Sequence, residues 1–279
     1  ARTPARTALL FDWDSWWALE ISDGPSRLVR YQDTVHTYYR AAREAGADVD
    51  VVPVTADLSA YDVVLAPVLH LVKGDLAPRL EAVAARGGTV LATFLSGRAD
   101  EHDRAFPTDV PGPLAPLMGV RVDEWDARPA DVVHPVRLDG LTAGARLVFE
   151  IVRLAGAEPA GTYGADFYAG TPAVTRHRFG AGEAWYVATA LDPPGVDHVV
   201  RRVLARHGLL GPYAEHPGLE TAARVAPDGT RLLFLLNHST EPARPTARDT
   251  VTDLLTGRRT ERGEPLGLDP LGVAVLRLE

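Results

Sequence analysis

Apolar residues fall into two textures along the chain. Between residues 7 and 94 they come as short unbroken runs, TALLFDW (7–13), VDVVPV (49–54), LSAYDVVLAPV (58–68) and TVLATF (89–94). Runs of that length suit strands covered on both faces. Two stretches between them switch to helical spacing. In 26–45, Leu28, Tyr31, Val35, Tyr38, Ala42 and Ala45 recur every three or four residues, with Ser26 placed to cap the start and Gly46 to end the helix. In 73–88, Asp75 is the expected cap and Gly87–Gly88 the stop. Strands alternating with helices at short spacing predict right-handed crossovers and a largely parallel, doubly wound α/β sheet. Loops at the carboxyl ends of such strands gather at one edge, where ligands bind. FDWDSWWALE (11–20) and SGRADEHD (96–103) both follow strands and are therefore expected to be neighbours.

Beyond residue 120 the runs shorten and Gly and Pro separate them, as in VRVDEW, DVVHPVRL, ARLVFEIVRLAG and EAWYVATAL. These read as shorter strands, which could extend the first sheet. Residues 194–208 return to helix, with Val196, Val199, Val200, Val203 and Leu204 on one face. From 213 onward, LETAARVA, TRLLFLLNH, DTVTDLL and GVAVLRL with PDG and TGR turns predict a small antiparallel sandwich or barrel. The expected division is an α/β domain over 1–212 and a small β-sandwich domain over 213–279.

Composition narrows the function classes. The 279 residues are 46% hydrophobic and 24% charged, as in ordinary globular proteins, and carry a net charge of −8. That charge gives no footprint for nucleic acid or an anionic membrane. Cysteine is absent, which removes disulfides, thiolate nucleophiles and thiolate metal sites. No apolar run is long enough for a membrane span, and ARTPARTALL lacks the basic start and apolar core of a signal peptide, so a cytoplasmic setting is expected. Met118 is the sole methionine, which fits removal of an initiator or excision from a longer chain.

The candidate chemistry is sparse. Ser96 in TFLSGR invites a nucleophile-elbow reading, but Phe94 and Arg98 stand where that motif needs glycine, and no triad completes it. FGAGEAW (179–185) has two glycines of a dinucleotide fingerprint but leads into a strand, so it reads as a hairpin turn. The nine histidines show no ligand spacing, so neither metal nor cofactor is expected. Asp12, Asp14, Glu20, Asp100 and Glu101 are acids at strand ends that could face one cleft, as a glycosidase pair would. Three of the five tryptophans, Trp13, Trp16 and Trp17, crowd into FDWDSWWALE. Three indoles in five positions do not all fit inside, so they are expected to serve a ligand-facing or partner-facing surface.

Six blocks in order, LLFDWDSWWALE, YYRAAREAGADVDVV, DLSAYDVVLAPVLHLV, GGTVLATFLSGRADEHDR, PGPLAPLMGVRVDEWDA and GEAWYVAT, resemble glycoside hydrolase family 42 β-galactosidases. The likeness covers about 7–210 as the family's trimerisation domain. It implies a flavodoxin-like unit related to the class I glutamine amidotransferase fold. LLFLLNHS carries a weaker likeness to the family's C-terminal β domain. The family's catalytic glutamates lie in an eight-fold β/α barrel of about 250 residues, and no residue here matches them. The resemblance therefore implies the non-catalytic portion of an enzyme that hydrolyses terminal β-D-galactosides, either cut from it or a stand-alone relative without the barrel. It also implies a homotrimer as partner, with the barrel and its galactoside close to the subunit boundary. Trp13, Trp16, Trp17, Glu20, Ser96, Asp100 and Glu101 are then expected at a subunit contact or at the edge of the sugar cleft. Two other readings stand beside it: an amidotransferase-like or esterase-like hydrolase using Ser96, and a galactoside-binding module using the indoles.

Overall fold

The computed structural model describes residues 5–22 and 24–279. The chain runs β1 (Thr7–Phe11), α1 (Trp13–Ile21), α2 (Tyr31–Glu44), β2 (Val49–Pro53), β3 (Val63–Ala66), α3 (Leu76–Ala85) and β4 (Thr89–Thr93). A short α4 (Ala115–Met118) precedes β5 (Val120–Ala127), β6 (His134–Leu138), β7 (Leu141–Leu154), β8 (Glu158–Tyr163), β9 (Pro172–Phe179), β10 (Gly182–Val187) and β11 (Thr189–Leu191). Then come α5 (Pro193–Arg206), β12 (Leu219–Val225), β13 (Arg231–Asn237), β14 (Val251–Asp253), β15 (Arg259–Thr260) and β16 (Val273–Leu278). Among the described residues no helix is long and apolar enough to cross a membrane.

Strands β2, β1, β3, β4 and β10 lie side by side and all parallel. Antiparallel pairing then takes over at β10–β9, and the ladder continues through β8, β6 and β7 to make an eleven-stranded mixed sheet. The parallel strands alternate between two cores. Leu9, Leu65, Leu91 and Trp185 meet α2 and α5 on one face. Leu10, Val64, Val90 and Tyr186 meet α3 on the other. Both faces are covered, which is why these segments read as unbroken apolar runs. On α5 the five predicted positions are all buried, each Val or Leu contributing about 1.5–3 kcal/mol through burial.

Two starts differ from the sequence pattern. Residues 13–21, read as the loop after a strand, are helix α1. Asp12 is its N-cap, extended at φ −134°, and its Oδ2 accepts from Ser15 N at 3.0 Å. Helix α2 begins at Tyr31, because Ser26 instead closes its own turn, its Oγ accepting from Leu28 N at 3.3 Å. Leu28 is consequently exposed.

The C-terminal residues form one five-stranded antiparallel sheet, β12-β13-β16-β14-β15. Its inner face (Leu219, Leu233, Leu235, Leu276) is covered by Leu266 and Leu268 of a segment that pairs only through isolated bridges. Pro242, Pro245, Pro265 and Pro270 deny that segment the donors of a regular ladder. The sheet abuts α2 closely. Gly46, at φ +74°, ends α2, and a Cβ there would lie 2.7 Å from Gly211 Cα.

Candidate functional site

The carboxyl edge of the parallel strands collects the loops after β1, β3 and β4. Helix α1 is fixed there by its first turn. Tyr31 OH accepts from Asp12 N at 2.8 Å, and Ser15 Oγ accepts from Leu71 N at 3.0 Å. Lys73, the chain's single lysine, places Nζ 2.6 Å from both Asp12 Oδ1 and Asp14 Oδ2. Burial alone would lower its ammonium pKa, but these two carboxylates outweigh that and raise it. Ala18, Leu71 and Ala99 pack into a small shared cluster. FDWDSWWALE and SGRADEHD are therefore neighbours, through Ala18 and Ala99, as their strand-end positions predict.

With Ser15, Ala18 and Leu19 turned inward, α1 presents Trp13, Trp17 and Ile21 at i, i+4 and i+8 on its outer side. Their exposures are 55%, 56% and 80%. Trp16 is partly buried, its ring 5.1 Å from Trp13 and 6.2 Å from Phe11. Glu20 is exposed, with Arg30 at 3.6 Å. The three indoles thus divide into one that helps anchor the helix and two that face outward.

The loop after β4 has the strained shape of a nucleophile elbow without its chemistry. The non-glycine residue in the left-handed region is Leu95, at φ +59°, and its side chain is buried. Ser96 is 0% exposed, and its Oγ accepts from Leu69 N at 3.0 Å. An elbow presents its nucleophile to solvent at the strained position. Here that position holds an alkyl group, and the neighbouring hydroxyl secures the β3 loop. The Ser96 hydrolase reading fails on this geometry.

The acids do not form a hydrolytic pair. Asp12 and Asp14 are taken up by Lys73. Asp100 Oδ1 accepts from His102 N at 2.9 Å and Arg104 N at 3.0 Å, and its Oδ2 accepts from Arg104 Nε at 2.9 Å. The Arg104 bond leads in holding its carboxyl down, at about 2. Glu101 is exposed beside it. Asp100, Glu101 and His102 have ligand atoms within 4.8 Å of one another, a grouping that spacing rules did not single out. Two of its three members are exposed, and the Asp100 oxygens already serve the loop. One carboxyl is pushed up to about 7, chiefly by burial: Glu150 on β7. It is fully buried, accepting from Leu95 N at 2.9 Å and Tyr186 OH at 2.6 Å, with no path for substrate.

Two further aromatic residues mark the same edge and escaped the sequence reading. Trp125 on β5 is partly exposed, and the Arg98 guanidinium of the β4 loop lies 4.0 Å from its ring centre. Phe167 sits in the turn leading into β9, which starts beside the end of β10, and it too is exposed. Chain separation hid both. The stretch PVLHLVK, which supplies Lys73, was likewise silent about its partners.

A family model described as the β-galactosidase trimerisation domain matches residues 5–210, and one for the β-galactosidase C-terminal domain matches 218–278. The chain is 38% identical to β-galactosidase BgaP of Planococcus sp. (strain L4), over 86% of its own length and 36% of that protein. It is 35% identical to β-galactosidase BgaB of Geobacillus sp. (strain Y412MC61), over 99% of its own length and 41% of that protein. Among solved structures, β-galactosidase from Bacillus circulans sp. alkalophilus superposes with a TM-score of 0.93 at 34% identity, covering 100% of this chain and 42% of that one. The chain therefore spans about two fifths of the length of these relatives.

Proposed function

The chain belongs to the glycoside hydrolase family 42 β-galactosidases, as their trimerisation and C-terminal domains, and from that premise we propose that it serves subunit assembly and shapes the edge of a galactoside site whose catalytic groups lie elsewhere. The observation that carries this is the outward stripe of Trp13, Trp17 and Ile21, more than half exposed on a helix fixed at its first turn. Monomers seldom leave such a face to water, and desolvated aromatic anchors can each contribute about 2 kcal/mol or more at a contact. Glu20, Glu101, Trp125 and Phe167 lie toward the same edge and extend the proposed contact. Trp16, Ser96 and Asp100 act behind it, holding the helix and the β4 loop in place.

The finer parts of this reading are a homotrimer, terminal β-D-galactosides as the substrate of the whole enzyme, and a cytoplasmic setting. We also place the domain boundary at 212/213 and assign the α/β unit to the flavodoxin-like class. The parallel order β2-β1-β3-β4-β10 supports that class.

Replacing Trp13 and Trp17 by Ala in the full-length enzyme tests the contact. Light scattering should show loss of trimer mass, and turnover of a chromogenic galactoside should fall. Unchanged mass together with unchanged activity would remove the proposed role. The 279-residue chain alone should not cleave lactose. Saturable cleavage abolished by changing one of its own acids would overturn the non-catalytic reading.

A further inference from the structure

Helices α2 and α5 and the C-terminal sheet enclose a cleft of ≈ 920 Å³. Pockets for small molecules commonly occupy about 300–1,000 Å³ and favour domain boundaries. Its walls carry many charges, and each is answered. Arg43 Nη2 donates to Glu220 Oε1 at 2.8 Å, and a ring nitrogen of His238 lies 2.9 Å from Glu220 Oε2. Arg201 Nε donates to the two Asp197 oxygens at 2.8 and 2.9 Å. Arg248 reaches Glu215 at 2.7 Å, and Arg40 stands 3.7 Å from Glu44. A charged ligand would have to displace one of these partners. A neutral ligand would not, because a paired carboxylate keeps free lone pairs and a paired guanidinium keeps free N–H groups. Pairing also holds these planar groups still, so they can meet adjacent hydroxyls without first being ordered.

Two aromatic groups in the cleft are uncommitted. Tyr39 is partly buried against the core, and its hydroxyl has no hydrogen-bond partner among the described residues. His36, one turn earlier on α2, is exposed and likewise without a partner among them. A ring face to cover C–H groups, a free hydroxyl and an imidazole, set among neutralised ion pairs, suit a ligand that is apolar on one side and hydroxylated around its rim. We propose that this cleft between the α/β unit and the C-terminal sheet binds a neutral carbohydrate, a mono- or disaccharide. The choice of galactose and lactose as probes rests on the family reading; the class of ligand rests on the cleft.

Saturation-transfer NMR on the 279-residue chain, titrated with galactose and then lactose, tests it. Saturable transfer is expected with Kd on the order of 1–10 mM. Tyr39→Ala and His36→Ala should each weaken it roughly fivefold or more. His36 is exposed, so His36→Ala should keep the wild-type melting temperature, and it decides the matter where Tyr39→Ala does not fold. Trp13→Ala with Trp17→Ala should leave this binding unchanged. No saturable transfer up to about 100 mM of either sugar overturns the proposal. So does binding that survives His36→Ala but disappears with the Trp pair, or galactose 1-phosphate binding more tightly than galactose. Trimer mass is a separate readout, so failure here leaves the assembly reading standing, and the converse also holds.

Discussion

Glu150→Gln isolates a buried ionisation. In the folded chain this carboxyl is fully enclosed, and burial raises it from 4.5 to about 7, against the smaller lowering effects of Tyr186, the Leu95 amide and Arg98. A rise of that size corresponds to about 3 kcal/mol between the two protonation states. The sign follows from which state holds the proton. Below pH 4.5 folded and unfolded chains are both protonated there, and the stabilising contribution is fully present. Between 4.5 and about 7 the unfolded chain loses the proton while the folded chain keeps it, so stability falls as pH rises. Above about 7 the folded chain carries a buried carboxylate and the loss is complete. Glutamine cannot ionise, and its amide can still accept from Leu95 N, although the 2.6 Å bond to Tyr186 must reorient at about 1 kcal/mol. The variant should therefore be slightly less stable than wild type near pH 4.5 and about 2 kcal/mol more stable at pH 8, with the crossing between. Urea unfolding of both proteins at pH 5, 6, 7 and 8, followed by the transition of the α/β unit, gives the difference directly. A difference independent of pH would show that Glu150 does not titrate in this window. A variant that loses ground as pH rises would show that the fold favours the carboxylate.

Lys73→Met leaves Asp12, whose side chain is 7% exposed, without its cation; urea unfolding should show a loss of about 2 kcal/mol, below the value for a fully buried pair because Lys73 is partly open to water, and Asp12→Asn added to it should recover part of the loss. Gly97→Ala should be harsher, about 3 kcal/mol or more, because Gly97 sits at φ +65° and a Cβ would lie 2.0 Å from Pro111 O; an unchanged melting temperature would mean that the β4 loop is not held as described. Arg43→Met cuts the tether to Glu220, and calorimetry should then resolve a separate, lower transition for the C-terminal sheet. Burial alone would raise Glu220, but Arg43 and His238 outweigh it and hold the carboxyl below 4.5, so the tether contributes fully above that pH and is lost as pH falls through the folded value; wild type and Arg43→Met should converge in acid.

The parallel strands were legible because burial on both faces leaves only one kind of residue acceptable at successive positions. The run at 58–68 was read as a strand on that ground, and the strand, Val63–Ala66, lies within it with every residue buried. Helix α5 was legible for the complementary reason, having one face in the core and one in water. Helix α1 was not, because it is apolar on both sides: Ala18 and Leu19 turn inward while Trp13, Trp17 and Ile21 turn outward, so no period stands out. Its surviving signal was the cap, Asp12 three residues before Ser15. The start of α2 was misjudged because Ser26 favours a local turn as readily as a helix cap. Lys73 with Asp12 and Arg98 with Trp125 join loops far apart in sequence, which no local pattern encodes. Nor does sequence say which of Leu95 and Ser96 takes the positive φ, and that one dihedral decides whether an elbow carries a nucleophile.

Strain, exposed apolar surface and buried charge are each local departures from what a stable fold prefers, and the edge that carries α1 has all three. Val68 and Leu95 both adopt positive φ, at +45° and +59°, conformations that cost non-glycine residues about 1–3 kcal/mol each. Each is held by a buried side chain, Thr93 Oγ1 accepting from Val68 N at 2.7 Å and Glu150 from Leu95 N at 2.9 Å. Fully buried alkyl and hydroxyl groups at the elbow cannot reward that cost with chemistry. What the two turns do accomplish is geometric. They lay the β3 and β4 loops against each other and against Ala18, so that Lys73 reaches the start of α1 and Arg98 reaches Trp125. Relaxing either turn would release the helix that carries Trp13 and Trp17. The strain is thus accounted for if the orientation of that aromatic edge is what the protein must preserve, which is the requirement of a surface that meets another surface.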